Sequence, residues 1–388
     1  MLALRARRLF DGVRPVPMSR PTVLLSGGVI EAVLDGPPPR GAELVDLGDT
    51  TLLPGLVDAH VHLAFDATPD TMGSLAVADD DTLLARMRTA ATATLDAGVT
   101  TARDLGDRGY LGLRVRAETA DAPHLGPRLL VAGPPITSYG GHCWFLGGEV
   151  DGVDAIRAAV RHRAERGVDV VKVVVTGGQL TPGSLPHEMQ FGPVELAAVV
   201  RESHRYGLPV TGHCHAADGV AAAVSAGFDG IEHCTFVTAD GVHADPALLA
   251  RMAAAGTRIT LTLGTVGHGG GGGGGDPRRA AVHAALRRVA GSGVPVACAS
   301  DAGCGPGKPH GSSLAYGVEA MVDLGVPPTA ALRAVTSGAA QVCGLADRVG
   351  RIAPGYDADL LAVHGDPTVE PGALRRVAAV LRAGQRVR

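Results

Sequence analysis

Leu52-Leu53-Pro54-Gly55-Leu56-Val57-Asp58-Ala59-His60-Val61-His62-Leu63 sets a short apolar run in front of two histidines one residue apart. Side chains alternate faces along a β-strand, so His60 and His62 point to the same side, one pleat apart. Two imidazoles converging at a strand end can hold a divalent metal at about 2.0–2.1 Å. A bare His-x-His pair is otherwise a strand with two partly exposed histidines. Pro-Gly before an apolar run that ends in Asp-x-His-x-His is a far rarer combination. If it is a metal site, the remainder of the chain must supply further ligands.

The 388 residues can bury a large core, and α/β barrels use about 250 residues as one domain. A hydrophobic content of 46% with 19% charged residues fits a packed globular chain, neither disordered nor fibrous. The formal charge of −4 and pI near 6.4 offer no basic surface for nucleic acid or for an acidic membrane. Met1–Phe10 alternates charged and apolar residues without a signal core, and no run reaches the roughly 20 apolar residues of a membrane span. The cysteines (143, 214, 234, 298, 304, 343) show no Cys-x-x-Cys spacing, so reduced thiols and a cytoplasmic location are the expectation.

Short strands and turns fill the two ends. Val23–Val33 reads as a hairpin turning at Gly27-Gly28, and 355–363 and 377–384 read as strands. Residues 1–54 and 346–388 are therefore expected to form one small composite β-sandwich. The middle, 55–345, alternates apolar strands with Ala-rich helices, the mark of βα units and a parallel sheet. Eight strands are predicted: 56–62, 99–104, 128–133, 168–176, 208–215, 230–233, 257–263 and 294–301. The helices between them include 82–97, 153–166, 194–206, 216–226 and 280–290. Closing eight strands into a TIM-like (β/α)8 barrel is the economical solution, with chemistry at the strands' C-terminal ends. A doubly wound open sheet is the rival, but no phosphate loop follows the first strand. The glycines 269–275 cannot continue a strand or helix, and either an inert insertion or a lid over the catalytic face would suit them.

Further candidate ligands fall at predicted strand ends. Lys172 interrupts a run of β-branched residues in 170–175, where a buried ammonium must be paired, neutralised or modified, unless its amine reaches solvent. Thr211-Gly212-His213-Cys214-His215 places two histidines on one face, and the residues alone do not order them. Ile231-Glu232-His233 adds a third, and Asp301 closes the eighth strand, where a lone Asp would otherwise cap a helix. Cys214 and Cys234 should face away from the ligands and pack.

Taken together these motifs resemble the amidohydrolase superfamily, in its branch of imidazolonepropionase-like dipeptidases and prolidases. The resemblance runs over nearly the full length, through Arg103-Asp104, Ser138-Tyr139-Gly140-Gly141-His142 and the Gly355-x-x-Ala358-Asp359-Leu360 return strand. It implies metal ligands His60, His62, Lys172, His213, His233 and Asp301. In that family the fourth-strand lysine is carboxylated by carbon dioxide and bridges two metals. The implied centre holds two zinc ions, with manganese, cobalt or nickel as alternatives. It also implies a metal-bridging hydroxide, Asp301 as general acid/base, and His215 behind the ligands or against substrate. His142 or Tyr139 would donate to the substrate carbonyl oxygen. The expected partner is a small-molecule amide (dipeptide, N-acyl amino acid or cyclic amide), with homo-oligomers common among such barrels. A mononuclear cyclic-amide hydrolase or deaminase is the alternative, and a non-catalytic binding barrel a third. The chain departs from the family in loop 181–191, at Trp144 and in its polyglycine stretch.

Overall fold

The computed structural model describes residues 1–266 and 277–388. The polyglycine stretch 269–275, and the choice between insertion and lid, lies outside the described residues. Eight strands, numbered in chain order, form the centre: β1 (Leu56–Val61), β2 (Val99–Asp104), β3 (Arg128–Val131), β4 (Val171–Val174), β5 (Val210–Ala216), β6 (Gly230–Val237), β7 (Arg258–Thr262) and β8 (Val296–Ala299). β1–β3 form one parallel sheet and β4–β8 another, each in chain order. Single parallel bridges link the sheets at both edges, Ile136 with Val173 and Val61 with Ala302. At those seams Ile136 N–H donates to Lys172 O (2.8 Å) and Asp301 N–H to His60 O (2.9 Å). The eight strands thus follow one another in cyclic order, in the mixed α/β architecture that the alternating pattern predicts.

Every residue of β1 and of β4 is buried. Parallel strands covered on both faces carry continuous apolar runs, which is why the Val-rich stretches settle here and why Lys172 is conspicuous among them. The helices between strands bury one stripe each. In Asp80–Asp96 the Asp79 carboxylate accepts Thr82 N–H (2.8 Å) at the N-terminus, and Leu83, Leu84, Met87, Ala91 and Leu95 face the core. Each large side chain fully buried this way contributes roughly 1.5–3 kcal/mol. Pro193–Arg205 begins with Pro at its first position, and Glu195 reaches back to Gly192 N–H (2.8 Å).

Several strand limits differ from the sequence expectation. The predicted strand 128–133 ends at Val131, because Gly133 turns the chain away at φ +68°. The predicted 168–176 shrinks to Val171–Val174, and 230–233 extends to Val237 even though His233, Cys234 and Phe236 sit at positive φ. Cys214 and Cys234 are buried in the apolar cluster of β4–β7, in the packing role expected.

The terminal strands lie in two sheets. One, four-stranded, orders Val29–Leu34, Thr22–Ser26, Leu2–Arg5 and Glu43–Asp46; the other, five-stranded, joins Thr50–Pro54 and Arg8–Leu9 to Leu360–His364, Val377–Arg382 and Gln385–Arg386. Leu4, Val23, Leu25 and Ile30 of the first pack with Leu52, Leu360 and Leu381 of the second. Pro54, at the end of the five-stranded sheet, is followed directly by Gly55 and β1, which ties that sheet to the first metal-ligand candidates. Among the described residues no helix is long and apolar enough to cross a membrane.

Candidate metal centre

The strand alternation read at His60 and His62 brings their Nε2 atoms to 3.2 Å of each other. Asp301, just beyond β8, places Oδ1 at 3.5 Å from His60 Nε2 and 3.6 Å from His62 Nε2. Bonds of about 2.0–2.1 Å in tetrahedral directions set neighbouring donor atoms roughly 3.3–3.4 Å apart, so this triangle has the edge length of a metal site. A second group, His213, His215 and His233, offers ligand atoms that all lie within 4.8 Å of one another. The groups adjoin: the rings of His60 and His233 stand 5.0 Å apart, and those of His213 and His233 4.5 Å.

Each imidazole is oriented by its other nitrogen. His60 Nδ1 pairs with Glu232 Oε2 (2.8 Å), His62 Nδ1 with Gly106 O (3.2 Å), His233 Nδ1 with Thr262 Oγ1 (2.8 Å) and His215 Nδ1 with Thr235 Oγ1 (2.9 Å). His213 instead uses Nε2, against Gly177 O at 3.2 Å. Such partners fix ring direction and tautomer at metal sites. Glu232 is itself held by Arg103 Nη2 (2.8 Å) and Thr211 Oγ1 (2.5 Å). Burial pushes the Glu232 carboxyl up, but Arg103 and His60 outweigh it and hold the group well below the usual carboxylate range.

Burial keeps the imidazoles neutral, as metal binding requires. It pushes His62 and His142 down to about 3 and His215 to about 4, and it lowers His60, His213 and His233 as well. The Lys172 ammonium is also driven below its ordinary range by burial, against the pull of Glu232 and Asp301. Asp301 is raised by burial, but Lys308, His60 and His62 together hold it below its ordinary value. Two ligand candidates, His233 (φ +68°) and Asp301 (φ +56°), have left-handed backbone, a conformation costing about 1–3 kcal/mol that tends to persist at functional sites.

A cavity of about 660 Å³ opens onto both groups, with Lys172, His142 and Lys308 also in its wall. Lys172 Nζ, Asp301 Oδ1 and His142 Nδ1 are buried and have no hydrogen-bond partner among the described residues. Unpartnered buried polar atoms cost on the order of 1–3 kcal/mol each, and here they share one cavity with neutral imidazoles. The nitrogen and carboxylate donors, the matching edge lengths and these orphaned atoms fit a metal centre.

The structure brings together His60, His62, Lys172, His213, His215, His233, Asp301 and His142. Tyr139 does not join them: its side chain is 72% exposed and lies outside the cavity wall. Gly140 N–H donates to Glu149 (2.8 Å) and Gly141 N–H to Ser138 O (2.9 Å), a turn that leaves Tyr139 outside while His142 points in. His215 lies with His213 and His233 in the second histidine group. Sequence reasoning passed over Lys308, whose Nζ lies 3.5 Å from Asp301 Oδ2, and over Thr235 and Thr262. Lysine and threonines in loops or at strand ends carry no periodic signal.

The model of the amidohydrolase family matches residues 51–387. The chain belongs to the amidohydrolase family. It is a hydrolase acting on carbon–nitrogen bonds. This amidohydrolase is 28% identical over 347 residues to ochratoxinase of Aspergillus niger, covering 81% of the present chain and 70% of that one. It is 28% identical over 378 residues to imidazolonepropionase of Salinispora arenicola, covering 87% and 84%. The crystal structure of a Xaa-Pro dipeptidase with bound methionine superposes with a TM-score of 0.86 at 29% identity, over 99% of both chains.

Proposed function

We propose that this amidohydrolase uses two metal ions to cleave the amide bond of a dipeptide, an N-acyl amino acid or a cyclic amide. The observation that carries the reading is Lys172: a buried amine without a hydrogen-bond partner among the described residues, in the cavity wall shared by both ligand groups. Its lowered pKa favours the neutral amine, the form that adds carbon dioxide with loss of one proton to give an anionic carbamate. That carbamate supplies the oxygen donors the second group lacks. His60, His62 and Asp301 would hold one ion, His213 and His233 the other, with Lys172 between. Zinc suits this donor set, and manganese, cobalt or nickel would be accepted. When bound, the ions supply Lewis-acid polarisation of the carbonyl and activation of water.

The protein's own groups do the rest. Asp301 is held ionised, so it can take the proton of the attacking water and deliver it to the leaving nitrogen. His142, neutral and facing the cavity, is the donor for the carbonyl oxygen, in preference to the outlying Tyr139. His215 lies close enough to touch substrate or ligand. The likeness to a Xaa-Pro dipeptidase supports dipeptides within the substrate range, and the six free cysteines support a cytoplasmic setting.

One observation favours a second reading. His213, His215 and His233 form a three-histidine set that needs no carbamate, as a mononuclear cyclic-amide hydrolase or deaminase would use. The test is hydrolysis of a panel of dipeptides, N-acyl amino acids and lactams by metal-replete protein. Amide turnover that requires about two metal ions per chain supports the proposal, whereas full turnover with a single ion per chain supports the second reading.

A further inference from the structure

Beyond β8 the chain runs Asp301-Ala302-Gly303-Cys304-Gly305-Pro306-Gly307-Lys308. Gly303, Gly305 and Gly307 all have φ between +82° and +93°, so the segment folds back on itself. Gly303 N–H donates to Lys308 O (2.8 Å), Lys308 N–H to Gly305 O (3.3 Å) and Val266 N–H to Gly307 O (2.7 Å). No side chain fits at Gly303, where a Cβ would lie 2.6 Å from His62 O. The fold-back returns Lys308 to the residue the loop left.

The Lys308 side chain, 16% exposed, directs its ammonium at three acceptors: Ser300 O (3.0 Å), Thr262 O (3.5 Å) and Asp301 Oδ2 (3.5 Å). Three N–H groups meet three oxygens from the ends of β7 and β8. The two carboxylate oxygens of Asp301 are thereby given different surroundings. Oδ1 faces His60 and His62, and Oδ2 faces a cation. Thr262, which contributes one of those acceptors, also orients His233 through its hydroxyl. Lys308 therefore braces the carboxylate against both halves of the centre.

We propose that Lys308 is a positioning residue for Asp301: its ammonium holds Oδ2 and so fixes the carboxylate with Oδ1 turned toward His60, His62 and the attacking water. This rests on the reading of Asp301 as the general acid/base. A carboxylate with no such brace can rotate and exchange its oxygens, and a misplacement of about 1 Å can cost on the order of 100-fold in turnover.

The test compares wild type, Lys308→Met and Lys308→Arg as metal-replete full-length protein, on the best amide of the panel. Metal content is measured by elemental analysis, and zinc affinity of the chelated apoprotein by competition with a chromophoric chelator. For Lys308→Met the expected result is an unchanged metal content, zinc affinity and KM within about threefold of wild type, and kcat lower by about 30- to 100-fold. Lys308→Arg, which keeps a cation, should recover most of kcat. Three results would overturn the proposal: kcat of Lys308→Met within about twofold of wild type; a raised KM with kcat intact, which would make Lys308 a substrate contact; or loss of metal in step with activity, which would make it a support of the metal site. Should the methionine variant not fold, a folded arginine variant with kcat as low as that of Asp301→Asn would equally reject it. A crystal structure of Lys308→Met supplies a readout independent of substrate. Asp301 should leave its position beside His60 and His62, and an unmoved Asp301 rejects the brace even if the wild type hydrolyses no amide and the reaction itself has been misread.

Discussion

His60 Nδ1 stands 2.8 Å from Glu232 Oε2, and the other oxygen of that carboxylate is held by Arg103 and Thr211. Glu232 thus connects a metal-ligand candidate on β1 to a buried arginine on β2, with both carboxylate oxygens engaged. Partners of this kind set the basicity and direction of an imidazole ligand, and losing one typically costs 10- to 100-fold in metal affinity. Glu232→Gln keeps the shape but removes the charge. The expected result is zinc bound about 10- to 100-fold more weakly by competition titration, with a lower melting temperature because Arg103 loses its counter-charge. Affinity equal to that of the wild type would mean that Glu232 serves only the fold.

Stability of the chelated protein should depend steeply on pH. His60, His62, His142, His213, His215, His233 and His310 all have pKa values lowered first by burial. The unfolded chain takes up protons on these groups below about pH 6.5, while the folded chain does not. Each such group therefore contributes stability that is present above about pH 6.5 and is lost on acidification, at roughly 1.4 kcal/mol per pH unit. Asp58 (raised to about 6), Asp107 (raised to about 7) and Asp104 (raised well above its ordinary value) act in the opposite sense, burial favouring their protonated forms, but they are fewer. The melting temperature of the protein in chelator should fall continuously from pH 7 to pH 5. A flat profile would show that the imidazoles are not buried neutral.

Gly178 lies against His142, and a Cβ there would stand 2.5 Å from its Nε2. Gly178→Ala must displace the ring. We expect kcat to fall by about 10-fold or more with metal content unchanged, since His142 is assigned to the substrate carbonyl and not to metal. Undiminished kcat would remove His142 from that role.

Much of the centre is legible because its signals are local. Period-two alternation suffices to aim His60 and His62 at one point, and a lone lysine in Val170–Val175 is conspicuous because an ammonium is costly there. Asp301 gains its meaning from the other ligand candidates. What stayed hidden depends on chain reversal. Tyr139 and His142 are three residues apart, yet a turn sends one to solvent and the other into the cavity. Lys308 reaches Asp301 only through positive-φ glycines, and Thr235 and Thr262 meet their imidazoles across strands. The order of His213 and His215 was equally unreadable, because alternation puts both on one face.

Asp301→Asn keeps the size of the side chain and removes its basicity. Turnover should fall by about 10²- to 10⁴-fold, the range for losing a general base, while the fold and most of the metal remain. Turnover close to that of the wild type would exclude Asp301 as the base.

The central claim is a pair of metals joined through Lys172. It is tested most directly by counting metal ions per chain, by elemental analysis of protein purified without chelator and supplied with zinc and bicarbonate, for the wild type and for Lys172→Ala. The account predicts about two ions in the wild type, fewer than two in the variant, and loss of activity with the second ion. One ion in the wild type, or two ions and full activity in Lys172→Ala, would contradict it.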